Sequence, residues 1–310
     1  MPRGRPAAQH LIVAENEILN RQLILEEKWN IRELCSSSRH RMLEWCARRR
    51  LIRNKFTCDD CLVPCGLVTR GDRIDGKEWY CKHCEKKKSV RYSSFFERSH
   101  IPLYHLVLLI YCWCKEIMQK YIVDESSLSH TSVVDWNNFC REVCDEWLRQ
   151  NPMEIGGVDN NGQPLVVEID ESKFFHRTYH RGLWRPGHWV FGGVERDSGK
   201  CFLVEILPGT HIISDRWASY ANITNLGGCI YTHEVIVHGD HFVDPNDNEI
   251  HTQNIENLWM RLKRKLRWQY GTSDELFLSY LHEFLWRNSI PKEKTFVYFL
   301  AAISEVYNVE

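Results

Sequence analysis

The chain of 310 residues has no excess of charge: 40 Lys and Arg stand against 41 Asp and Glu, for a formal net charge of −1. A globally basic surface is thereby excluded as a route to nucleic acid, and any such contact must be local. No apolar run reaches membrane-span length. The longest candidate, residues 103–114, is too short and is followed at once by Lys115 and Glu116. The first ten residues, MPRGRPAAQH, lack the apolar core of a secretory leader. The expectation is a soluble intracellular protein without membrane contact, whose 13 cysteines stay reduced. Paired cysteines then point to metal before disulfide. The length suits two or three domains with a substantial core.

What the chain does have is local pattern. Pro2-Arg3-Gly4-Arg5-Pro6 has the core of an AT-hook, a form also met in disordered basic termini. Residues 38–54 read as a helix with Arg39, Arg41, Arg48, Arg49, Arg50 and Arg53 around Met42, Leu43, Trp45 and Cys46, a face suited to phosphate. Cys58-x2-Cys61 and Cys81-x2-Cys84 follow, with 19 residues between them. That is the spacing of a four-thiolate Zn2+ ribbon, each knuckle giving two ligands of a tetrahedron. Cys65 offers Cys61 an alternative partner, and His83 lies inside a knuckle. Gly71 and Asp75-Gly76 mark a hairpin turn, and Lys86, Lys87, Lys88 and Arg91 form a basic patch directly after.

Apolar spacing predicts a helix over residues 101–120, a helix start at Asp124 to Ser127, a turn at Ser129 to Ser132, and a helix over 133–148. This order fits a helix-turn-helix unit. Cys140 and Cys144, four apart, are read as buried thiols or as half of a metal site. Asn151-Pro152 and Gly156-Gly157 mark a domain boundary.

Beyond the boundary, an apolar run over 165–169 ends in Asp170-Glu171, and a second, 211–214, ends in Asp215. A third acid, Glu256, lies in the first turns of a predicted helix over 254–268. Acids spread this way suit a divalent-metal site for phosphoryl transfer. Along that helix Ile255, Leu258, Trp259, Leu262 and Leu266 make an apolar stripe. Glu256, Met260, Lys263 and Arg267 make another face, so Lys263 is a candidate phosphate contact. With Arg261, Arg264, Lys265 and Arg267, Lys263 forms the densest basic patch of this domain. Arg177, His180, Arg181, Arg185 and His188 follow the first acid. His238 and His241 flank Asp240.

The stretches EIDESKF, HWVFGGVERDSGKCFLVE, IISDRW, VDP and HTQNIENLW, in this order over residues 168–259, resemble Merlin-type DNA transposases. Those proteins carry an ISXO2-like DDE domain and have bacterial insertion-sequence relatives. The resemblance implies an α/β protein: an RNase H-like catalytic domain preceded by a zinc ribbon and a helix-turn-helix region. It implies cleavage and transfer of double-stranded DNA at transposon ends in the nucleus, with a homodimer as a possible assembly. Mg2+ or Mn2+ would be held by Asp170, Asp215 and Glu256, with Asn254, close to Glu256, as an alternative for the third position. It further implies that the first and fourth strands are neighbours, so that the two aspartates meet. The domain reading is 1–37 N-terminal segment, 38–100 basic helix and zinc ribbon, 101–152 helical region, 153–290 catalytic domain and 291–310 C-terminal helix.

One departure stands out. Only Leu207-Pro208-Gly209-Thr210 separate Ile206 from His211, where the family carries a helix. Strands three and four would lie three spacings apart, about 14 Å, and the chain must also run back the length of a strand. Four residues reach at most ~14 Å and cannot do both. The third strand is therefore sacrificed, or the sheet rearranged, or the chain is an internally deleted copy. The three acids survive in sequence, but the short link sets their meeting in space against the family pattern. The expectation for this chain is an inert or weak enzyme, with a non-catalytic, transposon-derived DNA-binding protein as the alternative.

Overall fold

The computed structural model describes residues 9–35, 39–174, 188–202, 206–207, 211–215, 232–236, 252–268 and 274–309. The AT-hook-like terminus, the basic loop containing Arg177, His180, Arg181 and Arg185, and the segment from His238 to Asp244 lie outside these residues. The elements begin with α1 (Arg21–Glu26), α2 (Ile31–Cys35), α3 (Arg39–Arg48), β1 (Gly66–Thr69), β2 (Lys77–Tyr80) and β3 (Lys87–Ser89). Then come α4 (Leu103–Cys114), α5 (Gln119–Ser126), α6 (His130–Gln150), β4 (Ile155–Gly156), β5 (Val166–Phe174) and β6 (His188–Glu195). The chain continues through β7 (Cys201–Phe202), β8 (Ile206–Leu207), β9 (His211–Asp215), β10 (Thr232–Ile236), α7 (Gln253–Trp268), α8 (Asp274–Asn288) and α9 (Thr295–Val306). The described residues contain no helix long and apolar enough to cross a membrane.

Two units result: Met1–Trp147 with Ile290–Glu310, and Leu148–Ser289. The first is built on α4, which buries Leu103, Leu106, Val107, Leu109, Ile110 and Trp113. Helix α9 packs against it, Trp113 meeting Phe299 at 4.7 Å between ring centroids, so the C-terminal helix belongs to this unit. Charged anchors complete it. Arg91 is 2% exposed and grips Asp75 through two 2.6 Å bonds, while donating to the carbonyls of Ser99 and Ile101. Arg91 is therefore not part of the basic patch read from the sequence. Helix α4 ends at Cys114 rather than Lys120, and α5 ends where a helix start was expected, with Ser127 left-handed at φ 57°. Helix α6 begins at His130 rather than Val133, because the Ser129 hydroxyl accepts from the Ser132 amide and caps it.

In the second unit the sheet order is β10-β9-β5-β6-β7. The pairs β5–β6 and β6–β7 are antiparallel, while β5–β9 and β9–β10 are parallel. Strand β5 runs on through Asp170 to Phe174, longer than its apolar run, since residues 170–174 pair with 188–192. Its even positions face α7: Phe174 joins Ile255, Leu258, Trp259, Leu262 and Leu266 in one core with Phe277, Tyr280, Leu281 and Phe284 of α8. Val167 and Ile169 are buried on the other face.

Among the described residues the third strand of the sheet is represented by Cys201–Phe202 of β7, and Ile206–Leu207 pair with Ile155–Gly156 rather than with β6. Phe202 is level with Ile169 through Gly193, and His211 is level with Val166. The crossover can be measured from Phe202, the last described residue of β7. It must span about 14 Å sideways and roughly 10 Å backwards, and nine steps of chain reach about 30 Å.

Helices α7 and α8 are tied by Glu283, which is buried with Lys265 at 2.9 Å and Arg287 at 2.7 Å. Burial alone would raise this carboxyl, but Lys265 and Arg287 outweigh it and bring it down to about 2. A depressed folded value means that stabilisation is complete above the usual glutamate range and is lost as pH falls through it toward 2. Glu283→Gln should therefore destabilise the chain at pH 7 by roughly 3 kcal/mol, since it takes the charged partner from the half-buried Lys265 and Arg287. In urea titrations that gap should narrow steadily below pH 4.5. A gap constant from pH 7 to pH 3 would contradict this assignment.

Candidate functional site

Parallel pairing of residues 166–168 with 211–213 sets the geometry of the acids. Carried on by two residues, this register puts Asp215, the last residue of β9, level with Asp170 of β5. The two positions have the same strand parity as Glu168 and Ile213. Asp170 lies within β5 rather than past its end.

Helix α7 brings the other groups. Trp259 Nε1 donates to Asp170 Oδ2 at 3.0 Å. The Lys263 ammonium lies 5.3 Å from the Phe174 ring. Burial lowers its pKa below the ordinary lysine value; the charge of Asp170 acts in the opposite sense and Arg267 in the same sense. Glu256, in the first turn and half-buried, accepts from the Thr252 hydroxyl at 3.4 Å. Glu256, Trp259 and Lys263 recur at i, i+3 and i+7 and share a helix face. Met260, assigned to that face from the sequence, is instead 53% exposed. The apolar stripe of the sequence places Trp259 in the core; its position between Glu256 and Lys263 on the helix is the signal for its second role.

Three more residues were not singled out by sequence. Glu168, 0% exposed, accepts from the backbone amides of Asn254 and Ile255 and from the Asn254 side chain. Arg196 donates to it at 3.1 Å. A glutamate inside an apolar strand run was the only hint. The Asn254 backbone and side-chain amides are thus both engaged with Glu168. Gly192 of β6 lies under the indole: a Cβ there would come within 2.5 Å of Trp259 Cη2.

The cysteines of the first unit form a second site. Cys58, Cys61, Cys81 and Cys84 place all four sulfurs within 4.8 Å of one another. Cys58–Cys84 and Cys61–Cys81 are 4.0 and 3.5 Å apart. Tetrahedral Zn–S bonds of about 2.3 Å would separate sulfurs by about 3.8 Å, so the four fit Zn2+. The Cys84 amide donates to Cys81 Sγ, and this bond brings that thiol down to about 6. Cys65 stands outside the cluster, and burial pushes it up to about 12. Cys140 and Cys144 are fully buried in α6.

The basic residues divide. Arg49, 5% exposed, lies between Trp29 and Trp45 and is bound to Glu27, so it stabilises the fold rather than facing DNA. Lys265 is likewise committed to Glu283. Arg48 is paired with Glu17, and Arg50 follows α3 in a left-handed turn at φ 57°. Lys86 and Lys88 pair with Asp60 and Asp59 beside the knuckle. Lys87, Arg264 and Arg267 are exposed.

Residues 158–289 match the family model of the ISXO2-like transposase domain, somewhat under half of the chain. The matched stretch contains β5 to β10, α7 and α8. The match supports a DDE-class transposase domain in this stretch and, with it, a DNA transposase that has DNA as its partner. No curated protein and no solved structure matches the chain.

Metal analysis of the purified chain should give one zinc, lost in Cys81→Ser together with a fall in melting temperature. Unchanged zinc in that variant would remove the ribbon assignment. Gly192→Ala should displace the indole from Asp170, alter tryptophan fluorescence and cost about 1–3 kcal/mol by overpacking. Wild-type fluorescence and stability would show that the indole does not sit as described.

Proposed function

We propose that the chain is a Merlin-type transposase that cuts and joins DNA strands at transposon ends, using an RNase H-like domain. The observation that carries this reading is the β5–β9 register, which continued by two residues sets Asp215 level with Asp170, with α7 bringing Trp259 and Lys263 to Asp170 and carrying Glu256 on the same helix face. Asp170 and Glu256 are half-buried carboxylates, hard oxygen donors of the kind that suit Mg2+ or Mn2+. With Asp215 they would hold the ions. When bound, such ions activate water or a DNA 3′-hydroxyl and stabilise the leaving oxygen.

The protein's own groups have separate tasks in this reading. Trp259 orients Asp170 by holding one carboxylate oxygen. Lys263, partly withdrawn from water, offers its ammonium to a phosphate of the cut strand. Exposed Arg264 and Arg267 on α7, and Lys87 on the ribbon, supply phosphate contacts. Helices α5 and α6, joined by a three-residue turn, serve as the helix-turn-helix, and with the Zn2+ ribbon they recognise transposon ends. The protein works on nuclear DNA, as a homodimer where two ends are brought together.

Cleavage of DNA carrying the element's ends should require Mg2+ or Mn2+. It should fall at least about 100-fold in Asp170→Asn, Asp215→Asn and Glu256→Gln, since each removes a ligand from one charge-stabilising site. DNA binding should survive all three changes. Binding without cleavage by the wild type would instead favour the non-catalytic, transposon-derived alternative.

A further inference from the structure

We propose that Glu168 is a positioning residue for the acidic site: its buried carboxylate fastens the start of α7 to β5 and so sets Trp259, Glu256 and Lys263 against Asp170. The transposase reading defines what the site is for; the fastening itself stands on geometry alone.

Helix α7 opens after Thr252. The amides of its second and third residues would ordinarily be satisfied by the residue that precedes the helix. Here Asn254 and Ile255 donate instead to Glu168 Oε2 at 2.9 and 3.0 Å, across from another element. The Thr252 hydroxyl is thereby turned to Glu256, at 3.4 Å. Glu168 Oε1 accepts from Asn254 Nδ2 at 2.7 Å and from Arg196, just past β6, whose Nη2 lies 3.0 Å away. A fully buried carboxylate persists only with such partners, and the positive end of a helix favours it further.

A second tie lies beyond the first. Trp259 reaches Asp170 at 3.0 Å. From Glu168 to Asp170 the strand advances about 6.6 Å. From Ile255 to Trp259 the helix advances about 6 Å. Strand and helix thus run the same way with matching steps, and fastening the first tie brings the second into register. Hydrophobic packing of the α7 stripe cannot do this alone, because apolar burial is not directional.

The test uses the full chain with 15N-labelled indoles, the Trp259 resonance being identified by its loss in Trp259→Phe. In the wild-type background, Asp170→Asn should move this resonance, because the acceptor loses its charge. In Glu168→Gln, the Asp170→Asn change should leave the resonance unmoved. Asn254→Ala, which removes one donor and keeps the strand intact, should weaken the response in the same direction and decides the matter if Glu168→Gln does not fold. Added Mn2+ should broaden the Trp259 resonance, with an affinity about 10- to 100-fold lower in the Glu168 variant, as for other groups that orient metal ligands. A resonance that still responds fully to Asp170→Asn in the folded variants overturns the proposal. Coupling of Asp170 to Trp259 that depends on Glu168, without any Mn2+ broadening, would uphold the positioning role and remove the transposase reading.

Discussion

A single buried carboxylate joins the parts of the second unit that matter for chemistry. Glu168 lies between Val167 and Ile169 in β5 and takes up the amides at the start of α7. The apolar stripe of α7 supplies the drive to bury the helix on the sheet, and it would tolerate sliding along it. The charged tie does not, because leaving that carboxylate unpaired would cost several kcal/mol. The first unit uses the same device, with Arg91 on Asp75 and Arg49 on Glu27 fixing segments that packing alone would leave free to shift.

The sheet shows how a chain with a short crossover keeps its acids in adjacent strands. Among the described residues β7 pairs with β6 over Cys201–Phe202, and Ile206–Leu207 pair with β4 instead. Strand β7 lies at the sheet edge, away from Asp170 on β5 and Asp215 on β9. From Phe202 to His211 the chain is long enough to return to the sheet beside β5.

Features set by local spacing were legible in the sequence. The knuckles Cys58-x2-Cys61 and Cys81-x2-Cys84 come together because ligand spacing in a ribbon is nearly a local property. The stripe of Ile255, Leu258, Trp259, Leu262 and Leu266 is buried as its helical period requires. Features set by partners far along the chain were not legible. Arg49 and Lys265 read as surface cations until Glu27 and Glu283 are brought to them. Glu168 reads as an interruption in an apolar strand until α7 arrives. Asp124 to Ser127 resemble a helix start, yet the left-handed Ser127 makes them an end. The neighbouring of β5 and β9 followed from family resemblance rather than from residue pattern.

On the proposed reading Asp170 and Asp215, level on neighbouring strands, serve one metal site with Glu256. Crystals of the chain grown with Mn2+ and measured for its anomalous scattering test this most directly. The account expects a peak about 2 Å from carboxylate oxygens of both aspartates, with Glu256 as a further ligand. Mn2+ bound to only one aspartate, or aspartates too far apart to share an ion, would contradict it.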